Sequence, residues 1–173
     1  MNWEKVLGAA FVVASCTAMG YQVSRVYRLR PLQLSELARA LRLLQAEIEY
    51  TATPLPVALS RVSEQIKPPV QGVFAAAAEK MKERDNGPKL AFTYGVQSNS
   101  SQSVLKNQDW SALLNLSETL GSTDILHQSR EFQAALLHME SMREQATEAQ
   151  RRYERLWQYL GILTGLFVVL LLY

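Results

Sequence analysis

The sequence predicts an all-α protein: an antiparallel bundle of five or six helices flanked by an N-terminal and a C-terminal transmembrane helix. Three observations predict it. Residues 6–23 and 156–173 contain no Asp, Glu, Lys or Arg, although 20% of the 173 residues are charged. Between them, apolar residues recur at the three- and four-residue spacing of helices. No segment offers a second strand with which a first could pair.

The first apolar segment predicts a transmembrane helix over residues 4–23. Its 18 uncharged residues would span roughly 27 Å as a helix, close to the hydrocarbon thickness of a bilayer. Two alternatives stay open. One is a cleaved signal peptide, although its first region is normally positively charged and here contains Glu4. A lipoprotein would be cleaved after Val13-Ala14-Ser15 and carry its lipid on Cys16.

The second apolar segment, residues 156–173, predicts the other transmembrane helix and is the more hydrophobic of the two. Small residues lie within both segments, at Ala14 in the first and at Gly161 and Gly165 in the second. Small residues allow helix backbones to approach closely, so we expect these helices to pack on each other or on partner helices. That small residues are merely tolerated in membranes remains an equal alternative.

Six arginines flank the two segments on the side of the central region: Arg25, Arg28, Arg30, Arg151, Arg152 and Arg155. Positive residues next to membrane spans favour the cytoplasmic face. Both groups bound residues 28–155, which we therefore expect to form a cytoplasmic domain with both chain ends outside. The lipoprotein alternative would place all six arginines outside the cell.

The first soluble helix is predicted over residues 31–50, with Pro31 in its first turn. One apolar stripe at alternating spacings of three and four predicts its core face: Leu34, Leu37, Leu41, Leu44 and Ile48. The helix should stop before Pro54, because a residue preceding proline avoids helical angles.

Shorter helices are predicted over 57–66, before Pro68, and over 70–81. Residues 85–88 (DNGP) predict a turn. Residues 90–96 alternate as a strand would, but without a strand partner we predict a short helix. Residues 98–103 are polar and predict a solvated loop.

Trp110 begins a further helix that Gly121 should end, with Ser122, Thr123 and Asp124 as candidate caps for the next. The last helix should run unbroken from Asp124 into the second apolar segment, with core residues Met139, Met142 and Ala146. We expect its stripe to pair antiparallel with the first soluble helix. A self-associating coiled coil, and hence a homo-oligomer, is the alternative.

No motif predicts catalysis or a cofactor. The chain lacks a phosphate-binding loop and a nucleophile elbow. His127 and His138 would lie roughly 16 Å apart on one helix, too far to share a metal ion. The single cysteine excludes an internal disulfide, and the formal charge of +2 lacks the basic density of nucleic-acid binding. We predict a non-enzymatic protein without metal or cofactor.

Several stretches, in order, carry a resemblance to a known family: residues 30–34 (RPLQL), 40–41 (AL) and 45–50 (QAEIEY), 53–59 (TPLPVAL), 120–124 (LGSTD) with Gln128, and 153–161 (YERLWQYLG) with Gly165. Together they resemble the stage III sporulation protein AB family. The resemblance implies a soluble domain similar to the cytoplasmic domain of the type II secretion F platform protein.

The resemblance further implies a place in the mother-cell membrane around the forespore, in the secretion-like channel complex that links the two cells. It implies a platform that docks a cytoplasmic secretion-type ATPase, stage III sporulation protein AA, beside other subunits of that complex. The alternatives are a passive assembly factor that recruits channel subunits through its membrane spans, and an exported lipoprotein.

Overall fold

The computed structural model describes residues 3–83, 86–120 and 125–172. None of these residues lies in a β-strand, so the all-α prediction is confirmed. They form six α-helices and one short 3-10 turn: α1 (Trp3–Glu49), α2 (Leu55–Gln65), α3 (Val70–Lys82), α4 (Pro88–Asn99), the turn Ser100–Gln102, α5 (Asn107–Thr119) and α6 (Ile125–Leu172).

The chain divides into two compact units. The helix pair consists of Met1–Pro31 and Gln145–Tyr173, and the bundle consists of Leu32–Glu144. Helices α1 and α6 each contribute to both units. The bundle covers fewer residues than the predicted cytoplasmic domain of 28–155, since it begins at Leu32 and ends at Glu144.

The bundle has a core of large apolar side chains. Leu34, Leu37, Leu41, Leu44 and Met139 are fully buried, as are Leu59, Phe74, Phe92, Leu113 and Phe132. Met142 is 6% exposed, and Ile48, at the far end of the stripe, is half-buried. Ala146 is also buried but belongs to the helix pair. The three- and four-residue spacing of these residues places them on one face of their helices, which the core then covers.

Helices α3 and α4 approach closely. The rings of Phe74 and Phe92 meet edge to face, with centroids 5.6 Å apart. A Cβ atom added to Gly95 of α4 would lie 2.4 Å from the carbonyl oxygen of Val73. Only glycine therefore allows this distance between the two backbones.

Polar side chains secure the segment between α4 and α5. The Gln33 Oε1 atom accepts hydrogen bonds from Ser103 Oγ at 2.8 Å and from the Val104 amide at 3.0 Å. Asp109, which is fully buried, accepts one from the Lys106 amide at 2.7 Å and so caps α5. The Gln33 bonds join a connection without a strong sequence pattern to α1.

Two predicted boundaries are wrong. Pro31 lies inside α1 instead of beginning a helix. A proline inside a helix lowers its stability by about 3 kcal/mol. Burial of apolar side chains before and after Pro31 can offset this loss. The predicted loop over 98–103 is helical through Gln102, and within it the Ser98 and Asn99 side chains bond the carbonyls of Tyr94 and Gly95 one turn back.

The short helix predicted over 90–96 is confirmed by α4. Asp85 of the predicted turn lies outside the described residues. The same holds for the predicted helix end at Gly121 and for the candidate caps Ser122, Thr123 and Asp124.

Candidate interaction site: the apolar helix pair

Helices α1 and α6 are long and apolar enough, by length and composition, to cross a membrane. A core helix of a soluble protein passes the same test, but it is mostly buried. Here only 11% and 6% of the two apolar windows are buried within the protein. The helix pair therefore presents a largely uncovered apolar surface.

Within this unit the two helices run antiparallel. Contacts pair later residues of α1 with earlier residues of α6: Val13 and Cys16 with Gly165, Gly20 with Gly161, Ser24 with Gln158, and Tyr27 with Tyr153. The segments 6–23 and 156–172 thus lie side by side.

Glycines bring the two backbones into contact. A Cβ atom added to Gly20 would lie 2.7 Å from the Trp157 carbonyl oxygen, and one added to Gly161 would lie 2.9 Å from that of Cys16. At Gly165 the added Cβ would lie 3.0 Å from the Val13 Cα atom. Gly161 and Gly165, both predicted to pack, line this interface.

The register differs from the prediction at Ala14. Ala14 is exposed, and Gly20 is the residue of α1 that faces Gly161. Small residues occur around much of α1, so their presence alone does not select a face. The sequence does not single out Gly20, because it cannot show which face of α1 contacts α6.

One polar contact lies at the edge of the apolar interface. The Gln158 Nε2 atom donates a hydrogen bond to Ser24 Oγ at 3.0 Å, and Ser24 is 2% exposed. One turn further along, the rings of Tyr27 and Tyr153 stand 5.5 Å apart. A directional bond of this kind fixes the register of two helices, which apolar contact alone leaves free to slide.

The hydroxyl groups inside the first apolar segment are satisfied by their own helix. Ser15 Oγ donates to the Phe11 carbonyl at 2.9 Å, and Thr17 Oγ1 donates to the Val13 carbonyl at 2.7 Å. These bonds allow polar residues to occupy an apolar surface without an external partner.

Five of the six flanking arginines are exposed, and Arg30 is half-buried. Arg28 lies over the Tyr21 ring, 5.8 Å from its centroid, and Arg152 lies 5.6 Å from that of Tyr153. All six belong to the helix pair and adjoin the charge-free segments.

Cys16 lies within α1 and is half-buried. Its Cβ atom would lie 3.3 Å from a Cβ added to Gly165. Cleavage before Cys16, as in a lipoprotein, would remove Val13 and its contact with Gly165. Val13 and Cys16 therefore both pack against Gly165, a contact that the lipoprotein alternative does not require.

Ionisable groups of the bundle form exposed ion pairs. A hydrogen bond of 2.9 Å from Thr53 Oγ1 lowers the pKa of the Glu47 carboxyl, and Arg61, at 3.1 Å, lowers it further. Arg143 likewise lowers the pKa of Glu140. His127 and His138 are exposed, and no described group of three or more His, Cys, Asp or Glu could hold a metal ion.

Comparison with known proteins matches residues 5–173 to the family described as Stage III sporulation protein AB. The chain belongs to this family. The match includes both apolar segments and confirms the resemblance read from the sequence.

Two relatives extend this result. Stage III sporulation protein AB of Bacillus subtilis (strain 168) is 33% identical over 168 residues, which cover 97% of this chain and 98% of that protein. A solved structure of stage III sporulation protein AB is 31% identical and superposes with a TM-score of 0.67, covering 72% of this chain and 98% of that one. The chain is therefore a sporulation protein with the fold of this family.

Proposed function

We propose that this chain is a non-enzymatic membrane platform for endospore formation. Its bundle would lie on the cytoplasmic side and dock a secretion-type ATPase, stage III sporulation protein AA. The complex would be the secretion-like channel between mother cell and forespore, with the chain in the mother-cell membrane around the forespore. One observation carries the proposal: along the chain, a bundle with a buried apolar core lies between two exposed apolar segments flanked by arginines. The chain as a whole matches a sporulation family.

The surface of the helix pair supports membrane insertion. Large apolar side chains point outward, with Phe11, Leu163 and Phe167 each more than 60% exposed. In water such a surface would be unfavourable, whereas in hydrocarbon it costs nothing. The internally bonded hydroxyls of Ser15 and Thr17 suit the same environment.

The arginines support an orientation in which the bundle lies on the cytoplasmic side of the membrane. All six lie on the bundle side of the apolar segments, and both helices therefore favour the same topology. A bundle on the cytoplasmic side is accessible to an ATPase that stays in the cytoplasm.

The packed core of the bundle supports docking of an ATPase better than recruitment of channel subunits through the spans alone. A unit that served only to connect two spans would need no core, yet the bundle buries Trp110, Phe74 and Phe92 almost completely. Such a core holds a surface in fixed shape, as a docking platform requires.

Co-isolation of the full-length chain with stage III sporulation protein AA from sporulating cells tests the proposal. We expect the ATPase to be retained by the wild type and lost when residues 32–144 are replaced by a flexible linker. A matched control replaces exposed Leu163 with Ala in the helix pair and should retain the ATPase. Equal ATPase recovery with and without the bundle would overturn the docking role.

The second candidate is a passive assembly factor that recruits channel subunits through its spans. A small cavity of about 190 Å³ in the helix pair favours it, since Met19, Gly20, Trp157 and Gly161 leave a notch that could receive a partner helix. Under this alternative the linker variant would still recruit the channel subunits.

A further inference from the structure

A groove on α6 combines two arginines with one glutamate and neutral polar groups. It has a volume of about 600 Å³ and is lined by Thr147, Gln150, Arg151, Glu154, Arg155 and Gln158. These residues recur at spacings of three, one, three, one and three, so they share one face of the helix. We call this surface the arginine groove.

The two arginines of the groove are not neutralised. Within the part of the chain that the structure describes, no carboxylate lies at ion-pair distance from Arg151 or Arg155. The one acidic residue of the groove, Glu154, accepts a hydrogen bond from Gln150 Nε2 at 2.8 Å. By contrast, Arg28 and Arg152 lie over tyrosine rings.

The surrounding charge is also positive. Between residues 7 and 31, and between 145 and 171, the helix pair carries six arginines and two glutamates, a net formal charge of +4. The field at the groove therefore favours an anion.

The depth of the groove matches the headgroup layer of a bilayer, if α6 spans the membrane as proposed. Arg155 directly precedes the charge-free segment 156–173, and Arg151 lies one turn, about 6 Å, further out. The polar layer on each side of the hydrocarbon is roughly 5–7 Å thick. At its inner end the groove reaches Gln158, which bonds Ser24 within the helix pair.

We propose that the arginine groove binds the phosphate of an anionic phospholipid such as phosphatidylglycerol. Guanidinium groups bind phosphate oxygens through paired hydrogen bonds, and two of them one turn apart can hold one phosphate from both sides. The acyl chains of that lipid would lie along the outward apolar side chains of α6, beginning at Leu156 and Leu160, both exposed. This inference rests on the membrane part of the proposed function and is independent of the ATPase.

Native mass spectrometry of the full-length protein in detergent tests the site, with added phosphatidylglycerol, phosphatidylcholine or inorganic phosphate as probes. We expect the wild type to bind phosphatidylglycerol in preference to phosphatidylcholine. R151Q/R155Q should bind it roughly 30-fold more weakly, about fivefold for each arginine near an anionic group. R28Q/R152Q removes the same charge from arginines that lie on tyrosines and should keep most of the binding.

Three results would overturn the site: no preference for phosphatidylglycerol in the wild type, equal losses in the two double variants, or equally tight binding of inorganic phosphate alone. Helix content by circular dichroism shows whether the variants are folded. Alkaline carbonate washing of membranes separates the two proposals. A chain that is washed out contradicts membrane insertion, whereas a chain that stays in the membrane without lipid preference contradicts only the arginine groove.

Discussion

The two units of this chain place their large apolar side chains on opposite sides of their helices. In the bundle, Trp110, Phe74 and Phe92 are at most 1% exposed. In the helix pair, Phe11 and Phe167 face outward, and glycines occupy the interface instead.

Different forces hold the two units together. Water drives large apolar side chains into the core of the bundle. Hydrocarbon would provide no such drive for the helix pair, and close contact between backbones would replace it. One continuous pair of helices, α1 and α6, thus follows two sets of packing rules along its length.

We expect the strongest response at the interface of the helix pair. Gly165→Cys should form a disulfide with native Cys16, because their Cβ atoms would lie 3.3 Å apart, within a few tenths of an ångström of disulfide geometry. A mobility shift on non-reducing gels after mild oxidation of membranes measures it.

Leu163→Cys is the matched control, since Leu163 lies on the exposed face of α6 and should give no intramolecular cross-link. Cross-linking from residue 163 but not from residue 165 would contradict the packing of the helix pair.

The next effect compares the two units directly. Phe92→Ala should destabilise the bundle by about 3–5 kcal/mol, because it leaves a cavity in a packed core. Phe167→Ala removes the same side chain from the outward face of α6, 61% exposed, and should change the unfolding free energy little. Thermal unfolding of the full chain in detergent, followed by near-ultraviolet circular dichroism, measures both. Similar losses in both variants would erase the distinction between the units.

A smaller effect is expected where the bundle itself uses close backbone contact. Gly95→Ala should destabilise it by about 1–2 kcal/mol, since the new methyl group meets the Val73 carbonyl oxygen, which is fixed in a helix. In Gly72→Ala the methyl group meets only the Asn99 side chain, which can turn away at the cost of its bond to the Gly95 carbonyl, so we expect a smaller loss. The same unfolding assay compares the two, and a greater loss from Gly72→Ala would show that the contact with Val73 does not limit the packing of α3 on α4.

The smallest effect concerns acid. The pKa of Glu47 is lowered in the folded state, so its contribution to stability is present above the ordinary glutamate pKa, about 4.3, and is lost as pH falls through the lowered value. Thr53→Val removes the main cause and should raise the Glu47 pKa, measured by carboxyl NMR titration. Thr93→Val, whose hydroxyl bonds the Lys89 carbonyl, should leave it unchanged. A Glu47 pKa that stays the same in Thr53→Val would assign the shift to Arg61.

The fold could be predicted from the sequence where local periodicity decides it. The apolar stripe from Leu34 to Leu44 and the charge-free segments can both be recognised from the hydrophobicity of individual residues and their spacing. The register of the helix pair could not be predicted, because Gly20 and Ala14 are both small and the sequence does not show which face of α1 the partner helix covers. The Gln33 bonds to Ser103 and Val104 join residues 70 and 71 apart along the chain, and no local pattern marks such pairs. Pro31 shows the same limit, since distant packing determines whether a helix continues through proline.

The proposed platform requires the bundle to lie on the cytoplasmic side of the membrane. Exposed Ser100 of the bundle is replaced by Cys in a Cys16→Ser background, and the chain is produced in vegetative cells, where its membrane faces the medium. The intact cells are then treated with a membrane-impermeant maleimide. A cysteine added after Tyr173 serves as the outward control. We predict that residue 100 is labelled only after the membrane is permeabilised, whereas the added C-terminal cysteine is labelled in intact cells. Labelling of residue 100 in intact cells would contradict a cytoplasmic bundle and with it the platform.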